Sequence, residues 1–432
     1  MSPRAKRRPP APAPPRLGRG VARTLAAIAA FAYLLLCCAA CGAKSERTST
    51  AASVPRAHTA AAVAQPSCAE AVAATLGTIA TRIYHQAATG RNVGQAVHRV
   101  TSSTALIAAA RAGDAAGTRA ALRSLLLGQI ARIEVLRGGR VLASAGSGAA
   151  VAPVSGALPG AGGARYLLSV QSDRTYTQVT SQVTGAEVLL LSGPRAVAGT
   201  ISLPASLHLP AAGPVTVGSH SYQVASLSGG AYPSGSVRIA LLVPASELKC
   251  PANPALTRSA VLGRVGERIY EAEGKSPIVA ATVHRMEQTS AFRSAVARHD
   301  ATATRAAILG FFAAHIHVVR VRVEVGGKLL VDVGGPYALA PVHGTLRSGG
   351  RTIGTFTTAI QDDAGYLKLA KLFTGAQVLM RVGSKQVMGT LSPGPSQVPA
   401  DGTVAYQGHT YSAHSFTATA FPSGPLRISL LY

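Results

Sequence analysis

Tryptophan is absent from this chain of 432 residues, aromatics make up only 5%, and Asp and Glu number 17 against 42 Lys and Arg. So few aromatics leave little for the stacking platforms on which single-stranded nucleic acids are held. The arginines are scattered rather than gathered into a dense stripe, which argues against a nucleic-acid surface in spite of a formal charge of +25. A basic body attracts anionic lipid or acidic wall polymer as readily. The plainer reading is arginine serving as the solubilising residue of an Ala/Gly-rich chain. Catalytic signatures are missing as well. There is no His-Glu-x-x-His, no Gly-x-Ser-x-Gly and no Gly-x-x-x-x-Gly-Lys. Asp362 and Asp363 are adjacent, so on extended backbone they point to opposite sides and do not suit a paired-carboxylate mechanism. No enzyme, cofactor or metal centre is expected. His315-x-His317 places two imidazoles on one side of a strand, but no third ligand is near, and the matching stretch upstream has Gln129 and Ala131.

Long apolar runs are scarce too, with one exception at residues 24–41. It follows a Pro-rich leader, residues 1–23, whose seven charges (Arg4, Lys6, Arg7, Arg8, Arg16, Arg19 and Arg23) are all positive. Eighteen helical residues reach roughly 27 Å, marginal for a bilayer. The positive flank puts the N-terminus inside and the remainder outside the cytoplasm. Two anchors fit: an uncleaved signal anchor, or a lipoprotein signal in which Cys38-Ala39-Ala40-Cys41-Gly42 resembles a lipobox with Cys41 lipidated. The lipobox pattern has Leu where this chain has Cys38. Residues 42–67, rich in Ala, Ser and Thr, read as a flexible tether. Of the five cysteines, Cys37, Cys38 and Cys41 fall in the apolar segment, leaving Cys68 and Cys250 outside it. An even pair in an oxidising compartment predicts a disulfide between them.

The body contains itself twice. Arg82-Ile83-Tyr84 returns as Arg268-Ile269-Tyr270 and Val97-His98-Arg99 as Val283-His284-Arg285, each 186 residues later. Ala152-Pro153-Val154 returns as Ala340-Pro341-Val342, Thr184-Gly185 as Thr374-Gly375, and Pro233-Ser234-Gly235 as Pro422-Ser423-Gly424. A period this long marks a duplicated domain, since solenoid repeats are several-fold shorter. The expected modules are residues 68–248 and 252–432, which together use the whole body and leave no output domain. With 47% hydrophobic residues, each is able to bury its own core.

Each copy opens with helices. Leu76, Ile79 and Ile83 share one face, as do Leu262, Val265 and Ile269. Asp114 and Asp300 are suited to cap a later helix in each copy. The period then becomes two: Val319, Val321, Val323 and Val325 alternate with Arg320, Arg322 and Glu324 up to Gly326-Gly327, a hairpin signal matched around Gly138-Gly139. Further strands are expected at 352–360, 376–381, 386–391 and 426–431. Between them a short helix aligns Tyr366, Leu369, Ala370 and Phe373 and stops at Gly375. The fold class is α+β, with N-terminal helices followed by a mostly antiparallel sheet in each copy.

The order of these elements, with Gly-Gly-Lys-Leu-Leu-Val-Asp-Val-Gly-Gly, Leu-Ala-Pro-Val, Ile-Gln-Asp-Asp and Leu-Phe-Thr-Gly-Ala-Gln-Val, resembles the PAS-like Cache sensor domains of bacterial receptors. The resemblance covers most of each copy and implies two single-Cache modules in tandem. It also implies extracytoplasmic ligand binding in the membrane-distal, second module. The family's amino-acid motif includes a Trp that is absent here, so that specificity is not carried over. Residues that only the second copy has are the better candidates: Asp332 for Ser144, Asp362 for Ser172, and Tyr337 in a Gly-Gly-Pro-Tyr turn. Arg320 and Arg322 join them, on a strand that borders the pocket in Cache modules. His98 and His284, present in both copies, read as fold requirements. The implied function is a membrane-attached sensor of a small solute that signals through a separate membrane partner. The alternative is an adhesive envelope module binding anionic polymer. An envelope hydrolase ranks last, for want of a nucleophile and base.

Overall fold

A computed structural model describes residues 66–126, 130–204, 207–313 and 318–432. The basic leader, the apolar segment with Cys37, Cys38 and Cys41, nearly all of the tether, and the His315/His317 pair lie outside the described residues. No helix among the described residues is long and apolar enough to cross a membrane.

The first copy begins with four helices, α1 (Cys68–Thr89), α2 (Arg91–Ser102), α3 (Thr104–Ala112) and α4 (Ala115–Leu125). The strands β1 (Arg132–Arg137), β2 (Arg140–Gly146), β3 (Ala150–Val151), β4 (Val154–Ala157), β5 (Arg165–Ser169) and β6 (Gln171–Ser172) follow. After the short helix α5 (Asp173–Thr184) come β7 (Glu187–Ser192), β8 (Arg195–Gly199), β9 (Gly213–Val217), β10 (His220–Tyr232) and β11 (Gly235–Pro244). The second copy repeats the order: α6 (Thr257–Lys275), α7 (Pro277–Gln288), α8 (Ser290–Ala297), α9 (Ala301–Ala313), β12 (Arg320–Val325), β13 (Lys328–Gly334), β14 (Tyr337–Leu339), β15 (Val342–Ser348), β16 (Arg351–Ala359) and β17 (Gln361–Asp362). Helix α10 (Asp363–Thr374) precedes β18 (Gln377–Val382), β19 (Lys385–Gly389), β20 (Asp401–Tyr406), β21 (His409–Pro422) and β22 (Gly424–Leu431).

Helices come first and antiparallel strands after, in the order that the Cache resemblance implies. The strands of each copy, however, divide between two sheets where the sequence suggests one. A four-stranded sheet has the order β2-β1-β5-β4, or β13-β12-β16-β15. A seven-stranded sheet is built around β3-β10-β11-β7, or β14-β21-β22-β18. The division is made at the repeated Ala-Pro-Val. Ala152 and Ala340 have φ of 51° and 48°, a left-handed turn that steers the chain out of the larger sheet (β3, β14) into the smaller one (β4, β15). Alternation alone cannot locate such a corner, because Ala is costly in that conformation and gives no turn signal.

Local chemistry accounts for the element boundaries. Ser67 and Glu70 form a capping box at the start of α1, with Glu70 accepting from the Ser67 amide at 2.7 Å. Asp114 caps α4 through the amides of Ala116 and Gly117. The turns Gly138-Gly139 and Gly326-Gly327 have positive φ at both positions, as a type I′ hairpin requires. One more glycine position is set by packing. A Cβ on Gly344 would enter the ring of Phe356, its partner in register, and Gly156 stands in the same relation to Tyr166.

The two copies meet through their long helices. Leu76, Ile79 and Ile83 of α1 share one hydrophobic cluster with Val265 and Ile269 of α6, Tyr176 and Val183 of α5, and Tyr366 and Phe373 of α10. The repeated Arg-Ile-Tyr has a distinct task at each position. Tyr84 and Tyr270 pin their own sheets by accepting from the amides of Gly230 and Thr419, at 2.6 and 2.8 Å. Ile83 and Ile269 are buried. The arginines cross over: Arg82 donates to the Phe373 carbonyl at the end of α10 (3.0 Å), and Arg268 to the Thr184 carbonyl at the end of α5 (2.8 Å). Each copy thus closes the short helix of the other, a cation at a helix C-terminus. Cys68, the first residue of α1, is bonded to Cys250, seven residues before α6 begins, so both long helices start from one pole.

Candidate functional site

The four-stranded sheet of the second copy is apolar on the face covered by α7–α9, where Met286, Phe292, Val296, Ile308, Phe311, Val321, Val323 and Phe356 form one cluster. Its other face is polar. Asp332, Arg322, Thr357 and His343 stand opposite one another in register on β13, β12, β16 and β15, forming a row across the whole sheet. Directly opposed residues on neighbouring antiparallel strands face the same way, so four successive strands spread this row over roughly 15 Å. In the first copy the same four positions are Ser144, Glu134, Leu167 and Ser155. A carboxylate, a guanidinium, a hydroxyl and an imidazole therefore line up in one copy only.

Ion pairs and hydrogen bonds hold the row in place. Arg320, beside it, pairs with Asp332 at 2.8 Å and donates to the carbonyls of Gly334 and Gly335. Its guanidinium lies 5.4 Å from the centre of the Phe421 ring. Arg322 pairs with Glu324 at 3.2 Å, and His343 Nδ1 lies 3.0 Å from Thr357 Oγ1. Arg322 and Glu324 keep a third or more of their side chains exposed, against 12% for Arg320 and 19% for Asp332. Arg320 is thus largely enclosed by its partners, and Arg322 is the more accessible of the two cations.

The first copy explains why Arg320 is less telling than its partners. Arg132, its counterpart, lies 4.2 Å from the centre of the Tyr232 ring and donates to the Gly148 carbonyl. It pairs with Glu134, which also accepts from the Tyr232 hydroxyl at 2.6 Å. Burial, then the hydrogen bond and charge of Glu134, push the Tyr232 phenol above its ordinary pKa. An arginine stacked on a ring at the junction of the two sheets therefore belongs to the scaffold of both copies.

Tyr337 and Asp362 are not brought into the row. Tyr337 opens β14 and packs against the core shared by the copies. Asp362 caps α10, its Oδ1 accepting from the Gly365 amide at 2.7 Å. Ser172 does the same for α5 through the Thr175 amide, so the difference between the copies there is one N-cap residue for another. Asp363 lies in the first turn of α10, where burial raises its carboxyl above the ordinary range. His98 and His284 are exposed on α2 and α7, and the neighbouring Val97 and Val283 do the packing. The reading of these histidines as fold requirements is corrected: valine is the structural residue of that repeated motif. Thr357 and His343 are legible only once the register of β15, β16 and β12 is known.

Two further titratable groups are peculiar to the second copy. Glu273, where the first copy has Ala87, is 2% exposed at the end of α6, and burial raises its carboxyl to about 8. His414, where the first copy has Ala225, lies between Asp401 (2.7 Å) and Glu267 (3.2 Å). Burial lowers its pKa, but the two carboxylates outweigh burial and leave it raised. Both groups make stability fall as pH rises. The folded state holds the Glu273 proton from the unfolded value of 4.5 up to about 8, costing up to roughly 1.4 kcal/mol per pH unit in that window. The His414 contribution is complete below its unfolded value of 6.5 and is lost as pH passes through the higher folded value. Urea unfolding at pH 5 and pH 8 is expected to show Glu273→Gln flattening the decline and gaining over the parent at pH 8. His414→Gln is expected to lose most stability at pH 5 and less as pH rises past 6.5.

No family model and no curated protein sequence matches the chain. Among solved structures it is similar to the periplasmic domain of Vibrio cholerae LuxQ, at 11% identity and a TM-score of 0.28, over 40% of this chain and 99% of that one. It is also similar to an extracellular ligand-binding receptor from Desulfohalobium retbaense, at 11% identity and a TM-score of 0.26, over 51% of this chain. The match spans 47% of that receptor, about half its length. At these scores neither likeness carries weight on function, and the fold described above rests on the strands and helices of this chain.

Proposed function

We propose that the protein is a membrane-anchored, extracytoplasmic sensor that binds a small polar solute on the open face of the second copy's four-stranded sheet. The row Asp332, Arg322, Thr357 and His343 is the observation that carries this reading. It combines both signs of charge with two neutral hydrogen-bonding groups on a surface whose twin in the first copy has no such set. A few convergent polar groups on an otherwise well-packed support are what orientation of a small ligand requires. Arg322 takes an anionic group, Asp332 a cationic or hydroxyl group, and Thr357 and His343 supply further hydrogen bonds. Arg320 holds Asp332 in place. The signal passes to a separate membrane partner.

A thermal-shift screen of the protein against organic acids, amino acids and nucleosides tests the reading. Binding at a hundredfold excess over Kd stabilises by about 2.7 kcal/mol. The expected result is a shift with one solute class that disappears in Arg322→Ala and in His343→Ala while both variants melt like the parent without solute. Absence of a shift with every class, or a shift untouched by both substitutions, counts against the site.

A further inference from the structure

The seven-stranded sheet of the second copy turns one face to α6 and α10, with Val378, Met380, Ile428 and Leu430 in the shared core. Its other face is crossed by a strap, residues 390–400, that links β19 to β20 and packs Leu391 and Val398 against Leu379 and Leu431. Beside that strap two arginines stand directly opposed. Arg381 of β18 and Arg427 of β22 are partners in register, so both side chains leave the sheet on the strap side. Arg381 donates to the Pro395 carbonyl, and Arg427 to the Val398 carbonyl at 2.7 Å. Neither is in an ion pair among the described residues. Arg381 is 7% exposed. Arg427 is exposed, so the pair as a whole stays within reach of solvent.

The first copy separates the scaffold's share of this pair from the rest. There the same register joins Arg238 of β11 to Leu191 of β7. Arg238 donates to the Leu209 and Pro210 carbonyls of its own linking segment, at 2.9 and 2.8 Å, as Arg427 does to Val398. One arginine on the closing strand therefore serves both copies as a staple. Its partner is a different matter. Leu191 is 2% exposed and packs in an apolar cluster with Leu189, Leu203 and Leu209. The second copy puts a cation in place of that buried leucine, directly beside another cation. Burial, then the charge of Arg427, lowers the pKa of the Arg381 guanidinium. Carbonyl dipoles satisfy single N–H groups, but a guanidinium has five donors and a full charge, and enclosing it without a counter-ion is unfavourable.

We infer that Arg381 and Arg427 form a binding site for a phosphate group, separate from the polar row of the four-stranded sheet. Opposed residues on adjacent antiparallel strands are roughly 5 Å apart at the backbone, close enough for two guanidinium forks to share one tetrahedral oxyanion. A phosphate dianion matches the two positive charges, whereas one carboxylate leaves a charge unmatched. Thr417, the partner of Arg427 on β21, adds an exposed hydroxyl to the same row. Gln386, opposite Arg381 on β19, donates to the Leu391 carbonyl and accepts from the Gly394 amide, which fixes the strap where it borders the site. The first copy has Ala196 at that position. This site is independent of the solute site and stands or falls separately from it.

Calorimetric titration of the full-length protein in detergent with inorganic phosphate tests the proposal, at low salt and at pH 8, where phosphate is chiefly the dianion. Phosphate is expected to bind, and acetate about tenfold more weakly or worse. Glycerol 1-phosphate separates the two sources of the group: binding as tight as that of phosphate supports a phosphate ester, and weaker binding supports the free ion. Arg381→Leu, which installs the residue of the first copy, is expected to lower phosphate affinity about tenfold or more while melting no lower than the parent without phosphate. Arg347→Ser, which removes a charge from an exposed position on the other sheet, is expected to stay within about twofold of the parent. Arg427→Gln gives the same loss as Arg381→Leu and replaces it if that variant folds poorly. No phosphate binding by the parent, equal affinity for acetate, or equal effects of the Arg381 and Arg347 substitutions overturns the proposal.

Discussion

Replacing Cys68 and Cys250 with serine is expected to lower stability by about 3–5 kcal/mol, measured by urea unfolding against the oxidised parent. The bridge closes a loop with a sequence separation of 182, so cutting it releases a large chain entropy in the unfolded state. The native state is expected to change little, because the segment before Cys250 has other ties. Arg264 donates to the carbonyls of Glu247 and Lys249, and Arg268 pairs with Glu247. Reduction of the parent should reproduce the serine variant. Agreement of the unfolding midpoints before and after reduction would show that those polar ties, and not the bridge, hold the pole together.

A loss of similar size, about 3–5 kcal/mol, is expected for Phe356→Ala. Phe356 is 1% exposed, its ring centre 5.9 Å from that of Phe292, which in turn meets Phe311 edge-on at 5.4 Å. The bare backbone of Gly344 faces the ring, so truncation leaves a void that neighbouring side chains cannot readily fill. The cluster belongs to the four-stranded sheet and α7–α9, separate from the core that joins the copies. Hydrogen exchange is therefore expected to speed up across β12, β13, β15 and β16 while α1, α6 and β22 keep their protection. Uniform loss of protection over both copies would mean that the tiers unfold as one unit.

Much of this architecture was legible in the sequence because the duplication marks what the scaffold requires. Leu76, Ile79 and Ile83 do line the buried face of α1, and the Gly-Gly pairs do turn hairpins. Gly185 and Gly375 do end short helices with φ of 72° and 76°. The paired cysteines meet as expected. What remained hidden depended on partners that a linear pattern does not name. The corner at Ala152 and Ala340 carries no turn residue. The target of Arg82 lies 291 residues away. For the candidate site, Arg320, Arg322 and Asp332 were visible as polar positions on alternating strands, and the register brings them together. Asp362 misled because Asp serves as readily at a helix cap as in a binding site, and only its bond to the Gly365 amide separates the two. Thr357 and His343 were missed because they join the row through pairing of strands whose alignment the sequence leaves open.

The crossed arginines have one more consequence. In a pair of identical separate chains, every substitution appears on both sides, so a change that suits one binding surface is imposed on its twin. Here the reciprocal grip of Arg82 and Arg268 is closed within a single polypeptide, and the two halves are free to diverge while their mutual support stays intact. Arg322 needs no counterpart in the first half, where Glu134 holds that position. The polar row of the second half, where the first has Ser144, Glu134, Leu167 and Ser155, is a divergence that covalent linkage of two otherwise equivalent partners permits.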